Sequence, residues 1–452
     1  MSCRPSRVQG ARPRRCTHAR YPMKKQLQIT VDSLSRRGFM TRSAAVAGAA
    51  VATSGVHAAG SDTLRIAMVG CGDRGTRDAV VFLQSVKGVE LYAMADMFQD
   101  RIDSSLAELR KSAPDKVNVP KERMFLGFDG YKKALALGEV DIVMYLTPPG
   151  FRPEHVAETV KAGKHMFLEK PGAVDAVGIR ALLAAAEEAD KKRLSIVVGT
   201  QQRYAPQYLD LIDLIWNGRI GDIRVLKAHW ICDMVDWHFH PRRPEWSDME
   251  WQIRCWPFFT WLSGDHLVEQ LCHNIDVCNW VAKAVPVACT GLGGRQCRTG
   301  PEHGHIYDHF AVEYRYGNGL TMIALAAQMY GVTGDVCNRI EGTKGVAYVT
   351  RGGAHIEGER PWRYQGNPSS GEGEMYNALA ESIREGKPIN ECPRLAQATM
   401  TAIAGRMSTY TGRAVQYDWA LKESKEDLRP AKYELGPLPV APVAMPGKTP
   451  LV

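Results

Sequence analysis

The chain has 452 residues and a formal net charge of +8, from 57 Lys and Arg against 49 Asp and Glu. The surplus is concentrated in residues 1–59, so the remainder is close to neutral and carries no basic tract or aromatic-interleaved basic patch of the kind that binds nucleic acid. After those residues no apolar run is long enough to span a bilayer, and the nine cysteines left once Cys3 and Cys16 are set aside are odd in number without a C-x-x-C pair, which speaks against a disulfide framework and for small buried hydrophobes.

Residues 1–59 read as a leader. Residues 1–20 are Arg-rich, and Met23 followed by Lys24 and Lys25 reads as the better start. Ser35-Arg36-Arg37-Gly38-Phe39-Met40 precedes a small apolar run, residues 44–56, and then His57-Ala58-Ala59. Paired arginines, a modest apolar region and small residues at a cleavage point have the form of a twin-arginine export signal. The other readings are a basic mitochondrial-type leader and a lipid-tethered anchor. The export reading predicts a periplasmic or otherwise exported protein, carried folded by the twin-arginine translocase.

Roughly 390 residues then remain, enough for two domains with cores of their own. Residues 60–203 read as the first. The apolar run 64–69 enters Gly70-x-Gly72-x-x-Gly75 and a helix through Val80, Val81 and Leu83. This is a strand, a tight turn and a helix whose N-terminal N–H groups face an anion, the arrangement that holds a dinucleotide pyrophosphate. A second apolar run, 89–95, ends in Asp96, placed to take an adenosine ribose hydroxyl and to repel a 2′-phosphate, which favours NAD over NADP. Further strands at 140–146, 165–168 and 195–198 alternate with helices at 101–111, from Asp129-Gly130-Tyr131, at 155–162 capped by Gly163, and at 177–191. Alternation of this kind predicts an α/β doubly wound parallel sheet with its ligand at the carboxyl ends of the strands. The glycine turn, Asp96, Thr147, Lys170 and Gln201 all fall at those ends. Lys170, between Glu169 and Pro171, is the first candidate for proton transfer to a substrate hydroxyl.

Residues 204–420 lose that alternation. Strands are expected at 223–232, 308–316, 319–327, 339–341 and 346–350, with a hairpin turn at Gly317-Asn318-Gly319 and helices at 375–384 and 395–411. They predict an α+β domain with a largely antiparallel sheet. Trp237, Trp246, Trp251, Trp256 and Trp261 crowd one polar stretch and read as a sugar-stacking wall or a subunit contact. Residues 421–452 read as an extended Pro-rich tail.

Residues 264–281 read as one amphipathic helix. At 100° per residue Asp265, Glu269, His273 and Asp276 share a face, opposite Leu267, Val268, Leu271, Ile275 and Cys278. A carboxylate one turn from His273 can fix its tautomer, making Glu269 and His273 candidates for acid–base chemistry. The same spacing suits a metal bound by Asp265, Glu269 and His273, with His238 and His240 as further ligands; the primary reading assigns no metal.

Taken together, Gly70-x-Gly72-x-x-Gly75, Asp96, Thr147-Pro148, Ala162-Gly163-Lys164-His165, Glu169-Lys170-Pro171 and the helix bearing Glu269 and His273 resemble the Gfo/Idh/MocA family, the glucose–fructose oxidoreductases and inositol dehydrogenases. The family's usual Asp-x-x-x-His carries Glu269 here in place of Asp. The resemblance implies a nicotinamide-dependent oxidoreductase acting on a sugar, polyol or glycoside hydroxyl. It places NAD against Gly70, Gly72, Asp73, Arg74, Gly75, Asp96, Thr147, Pro148, His155, Glu169, Lys170 and Gln201. It gives Lys170, His273 and Glu269 catalytic roles, and sets substrate against Arg203, Asp265, His266, Trp237 and Trp261. It also implies a homodimer or homotetramer through the open face of the second sheet. Export away from any NAD pool predicts a tightly held cofactor, which suits either a closed oxidation–reduction cycle or a glycosidase that oxidises its substrate transiently. A non-catalytic sensor is the reading from another class.

Overall fold

The computed structural model describes residues 63–234 and 238–452; the twin-arginine motif and Trp237 lie outside the described residues. The first domain is a six-stranded parallel sheet in the order β3-β2-β1-β4-β5-β6. Its strands are β1 (Leu64–Val69), β2 (Val89–Asp96), β3 (Met124–Leu126), β4 (Ile142–Tyr145), β5 (His165–Leu168) and β6 (Ile196–Val198). Helices α1 (Asp73–Ser85), α2 (Gln99–Ser112), α3 (Gly130–Leu135), α4 (Arg152–Ala162) and α5 (Ala176–Lys191) connect and cover them. Covering both faces is what makes β4 and β5 continuous apolar runs rather than alternating ones. The short edge strand β3 was not among the expected elements. Gly163 ends α4 in the left-handed conformation, φ +72°.

After α6 (Pro206–Trp216) the second domain forms a nine-stranded sheet in the order β14-β13-β12-β11-β7-β10-β9-β8-β15. The strands are β7 (Ile223–Cys232), β8 (Ala288–Gly294), β9 (His309–Arg315), β10 (Thr321–Gln328), β11 (Asp335–Gly342), β12 (Gly345–Thr350), β13 (Gly353–Gly358), β14 (Trp362–Arg363) and β15 (Val415–Gln416). Every pairing is antiparallel except β7 with β10, so the largely antiparallel sheet is present with one parallel seam. The alternation along β10, burying Met322, Ala324, Ala326 and Gln328, marks a sheet covered on one face.

The remaining helices are α7 (Asp248–Arg254), α8 (Thr260–Ser263), α9 (His266–Glu269), α10 (Cys272–Ala282), α11 (Glu372–Arg384), α12 (Cys392–Thr411) and α13 (Tyr417–Lys422). The single helix expected over 264–281 is therefore two. Gly264 and Asp265 take φ +75° and +71°, which breaks the chain before α9, and Gln270–Leu271 separates α9 from α10. The left-handed Asp265 is held by its own carboxylate, which accepts from the His266 N–H (2.6 Å), the Tyr307 N–H (2.8 Å) and the Tyr410 hydroxyl (2.5 Å).

The C-terminal part does not stay within its own domain. Helix α11 packs on α1, with the Phe82 and Tyr376 rings stacked at 4.7 Å. The backbone at 389–391 seals the open edge of β6 through Ile196 N–H to Ile389 O and Glu391 N–H to Ile196 O. The Pro-rich tail is irregular yet packed: the Leu428 N–H reaches Asp175, the Leu438 N–H reaches Asp248, and Gln252 Nε2 donates to Leu438 O. No helix among the described residues is long and apolar enough to cross a membrane.

Candidate active site

The glycine turn after β1 divides its work among three positions. Gly70 has φ +98°, and a Cβ there would stand 2.7 Å from the Leu146 carbonyl carbon. A Cβ on Gly75 would stand 2.1 Å from the Gly70 carbonyl oxygen, so only glycine lets α1 approach the strand this closely. A Cβ on Gly72 would meet nothing within 4 Å, and no side chain caps α1 there. An uncapped helix N-terminus with an open glycine in front of it fits a pyrophosphate.

A long groove runs from this turn across the strand ends. Gly70, Gly72, Asp73, Arg74, Gly75, Asp96, Thr147, Pro148 and His155 all line it. Asp96 Oδ2 accepts from the Cys71 N–H (2.6 Å) and Oδ1 from the Phe98 N–H (3.0 Å), which fixes the carboxylate at the β2 end. Thr147 Oγ1 lies 3.2 Å from His155 Nδ1, and the His155 ring packs between Tyr131 and Tyr145. Burial holds His155 neutral, pushed down to about 3. The second domain roofs the groove with His238, Ile253, Arg254 and Trp256. Arg254 ties that roof down: it pairs with Asp100 at 3.1 Å and with Glu250 at 3.0 Å, and its guanidinium lies 3.8 Å over the Phe98 ring.

Glu169, Lys170 and Gln201, expected at the cofactor, do not line this groove. Glu169 is a buried strut. Its Oε1 takes Arg74 Nη2 at 2.6 Å and its Oε2 takes the Lys170 N–H at 2.9 Å. Burial pushes this carboxyl up, but Arg74, Lys170 and Arg152 outweigh it and hold the group below the ordinary carboxylate range. Arg152, which sequence reasoning passed over, ties the ends of β4 and β5 together through three carbonyls, Thr147 O, Glu169 O and Pro171 O. Gln201 is buried at the end of β6 with its Oε1 unpaired.

Lys170 points to the broken helix instead. Its Nζ donates to the Glu269 backbone oxygen (2.6 Å) and to Glu269 Oε1 (2.7 Å). Glu269 is thus the partner of Lys170, and the expected pairing of Glu269 with His273 is replaced. His273 Nδ1 lies 3.1 Å from Gln202 Oε1, and its ring stacks on Trp230 at 5.9 Å. With the carboxamide oxygen facing it, Nδ1 carries the hydrogen and Nε2 is left as the acceptor. Burial first, then the charges of Lys170, Arg351 and Arg74, push His273 far down, so the ring is neutral.

Three substrate expectations are corrected by packing. Arg203 grips Asp276 with Nε and Nη2, both at 2.8 Å, and lies over the Trp280 ring, so its fork is committed. Asp265 is fully buried, bonded as described, and pushed by burial up to about 6. Trp261 sits in an aromatic core with its Nε1 on Gln252 Oε1 (2.8 Å) and its ring edge-on to Phe151. The described tryptophans Trp246, Trp251, Trp256 and Trp261 therefore form core and groove roof rather than an open wall. Asp265, Glu269 and His273 each face different partners and do not gather as metal ligands; among the described residues the set of three metal-type side chains within mutual reach is His229, Asp335 and Cys337, on β7 and β11. His266 does face a cavity, which also takes Glu269, Gln270 and Arg298, and His238 lines both that cavity and the groove.

A family model described as the oxidoreductase family with an NAD-binding Rossmann fold matches residues 64–197, and the C-terminal domain model of the same family matches residues 208–348. Among solved structures, the chain is similar to an aldose-aldose oxidoreductase of Caulobacter crescentus, with TM-score 0.62, 18% identity, and cover of 78% of this chain and 99% of that one. It is also similar to a putative myo-inositol dehydrogenase of Sinorhizobium meliloti 1021, with TM-score 0.58, 18% identity, and cover of 78% and 100%. A curated relative, a glycosyl hydrolase family 109 protein of Shewanella sp. (strain W3-18-1), is 27% identical over 181 residues. That alignment takes in 40% of this chain and spans 38% of the relative's length.

Proposed function

We propose that this chain, which belongs to the Gfo/Idh/MocA oxidoreductase family, oxidises or reduces a secondary hydroxyl of a sugar, polyol or glycoside with a tightly held NAD. The observation that carries the reading is the Lys170–Glu269 pair, set beside a polar cavity that meets the dinucleotide groove at His238. The nicotinamide, when bound, supplies the hydride acceptor or donor. The groove residues hold it, and the roof of Arg254 and Trp256 excludes water. Two of the three N–H directions of Lys170 go to Glu269, and the third serves the substrate hydroxyl. As the carbon bearing the hydroxyl gives up its C–H hydrogen as hydride, Glu269 takes a proton from Nζ and Nζ takes the hydroxyl proton; in reduction the order reverses. Neutral His273, set by Gln202, accepts a hydrogen bond at Nε2 and orients the substrate oxygen.

The leader supports an exported enzyme that crosses the membrane through the twin-arginine translocase with its cofactor aboard, and assembly as a homodimer or homotetramer completes the reading. Denaturing the purified mature protein and weighing the released nucleotide tests it. Near-stoichiometric NAD(H) is expected, and NADP(H) would reverse the reading of Asp96. Absence of any nucleotide, with no binding on titration, overturns the catalytic account. A second reading is favoured by the curated relative: a glycosidase that oxidises a ring hydroxyl transiently, eliminates the aglycone, adds water and reduces the ketone again. A free keto sugar supports the first reading; a cleaved glycoside carrying solvent deuterium supports the second.

A further inference from the structure

Two arginines cross between the domains at the dinucleotide groove, one from each side. Arg254, at the end of α7, reaches from the second domain to the first. Its Nη1 and Nη2 meet Asp100 Oδ2 and Oδ1, both at 3.1 Å, and its guanidinium lies 3.8 Å over the Phe98 ring. Glu250 Oε1 accepts from its Nε at 3.0 Å, so Nε and both Nη atoms are engaged. Arg101, on α2, reaches the other way: its Nη2 lies 3.3 Å from His240 Nε2, and its Nη1 4.0 Å from Asp73 Oδ1. Burial, and then the charge of Arg101, push His240 down, so its ring is neutral and Nε2 accepts.

The first-domain partners all flank the place where an adenosine ribose belongs. Phe98, Asp100 and Arg101 follow closely on Asp96, and Asp73 stands between Gly72 and Arg74 in the glycine turn. The Phe98 N–H is bonded to Asp96 itself at 3.0 Å. Asp73, Phe98, Arg101 and Arg254 line the groove, while Asp100 stands outside it with its side chain 62% exposed. Arg254 is the buried member, 13% exposed, and its hydrogen bonds hold the Asp100 carboxyl below the ordinary range. A two-bonded fork is the strong form of an ion pair, and a guanidinium laid on an aromatic ring adds to it. Helix α7 is thus tied at its last residue to the segment that carries the ribose aspartate.

We infer that the Arg254–Asp100 fork is a latch on the cofactor: it closes the second domain over the adenosine half of the dinucleotide and sets how slowly the nucleotide leaves. The inference deepens the retained-cofactor reading above and rests on it. Arg254 and Asp100 are retention residues in it and take no part in hydride or proton transfer.

The test follows exchange of the bound nucleotide. Purified holoenzyme is mixed with excess deuterated NAD, or deuterated NADP where that is what the protein holds. It is freed of unbound nucleotide at intervals and denatured, and the retained nucleotide is weighed. Asp100→Asn breaks the fork without touching the groove. It is expected to speed exchange by about 5- to 10-fold, the low end for a charge-assisted pair because Asp100 is exposed. The melting temperature of the nucleotide-free protein is expected to stay unchanged. High salt screens the pair, so it is expected to speed exchange more in the unmutated protein than in Asp100→Asn. Asp103→Asn is the control: that carboxylate meets Gln99 on the same helix at 2.7 Å, and its loss is expected to leave the rate alone. Exchange from Asp100→Asn at the unmutated rate, or equal acceleration by Asp103→Asn, overturns the inference. If the purified protein carries no nucleotide, the retained-cofactor reading fails. Stopped-flow release of titrated NADH from the same proteins then decides the latch: faster release from Asp100→Asn upholds it, and equal release or no binding removes it.

Discussion

Lys170 and Glu269 meet twice, through the backbone oxygen and the carboxylate of the glutamate, at 2.6 and 2.7 Å from one nitrogen. The first contact exists because the helix is broken. In a continuous helix the Glu269 carbonyl would be taken by the His273 N–H, four residues on; here the His273 N–H turns to Gln270 O at 3.4 Å. The break therefore frees an acceptor that aims the lysine. Replacing Lys170 with Met is expected to lower kcat by about 10²- to 10⁴-fold, the usual contribution of a positioned proton-transfer group. Cofactor content stays at the level of the unmutated protein, because Lys170 does not line the groove. Steady-state kinetics and nucleotide mass spectrometry on the same sample check both halves.

The pair is also a stability element, since the two side chains are only 9% and 13% exposed. Removing one member leaves the other buried without a partner, which costs about 3–5 kcal/mol. Glu269→Gln and Lys170→Met alone are each expected to lower unfolding stability, and the double variant to lose clearly less than their sum. A denaturation cycle over the four proteins measures it, and simple additivity would contradict the pairing.

The glycine turn predicts a separation of two effects. Gly75→Ala drives a Cβ into a backbone oxygen and is expected to cost about 1–3 kcal/mol of stability even without nucleotide. Gly72→Ala meets open space, so the nucleotide-free protein is expected to keep its melting temperature while affinity for the nicotinamide dinucleotide falls. Thermal melts and calorimetric titration of the stripped proteins distinguish the two.

Asp265 gives a signed pH effect. Burial raises it from 3.8 to about 6 in the folded protein. The folded state therefore holds its proton where the unfolded chain has released it. Its contribution favours the fold at low pH and is lost as pH rises from about 4 to about 6, amounting to about 3 kcal/mol at most. Asp265→Asn removes this term, so the difference in unfolding free energy between the two proteins is expected to shift with pH across that window and be flat above it. Denaturant unfolding at a series of pH values reads the slope.

The first domain was legible because each strand is a local apolar run and each turn carries its glycine. Lys170 could be placed from its position after β5 alone. What stayed hidden depends on partners distant in sequence. Asp276 reads as an exposed acid until Arg203, 73 positions earlier, closes on it. The left-handed Asp265 needs Tyr307 and Tyr410, 42 and 145 positions away, and no local signal announces either. Gln202, the partner of His273, stands beside Gln201 and differs from it by nothing a sequence displays. The prolines of the tail predict an extended chain, which is right for its backbone and silent about its packing.

That tail also bears on the groove. Tyr433 packs against Phe128 and Phe151 at 5.8 and 5.4 Å, and both phenylalanines line the dinucleotide groove. Leu438, a few residues later, fastens α7, which carries part of the groove roof. Wall and roof thus share one strap that belongs to neither sheet, so a loosening of residues 433–438 reaches both sides of the groove at once.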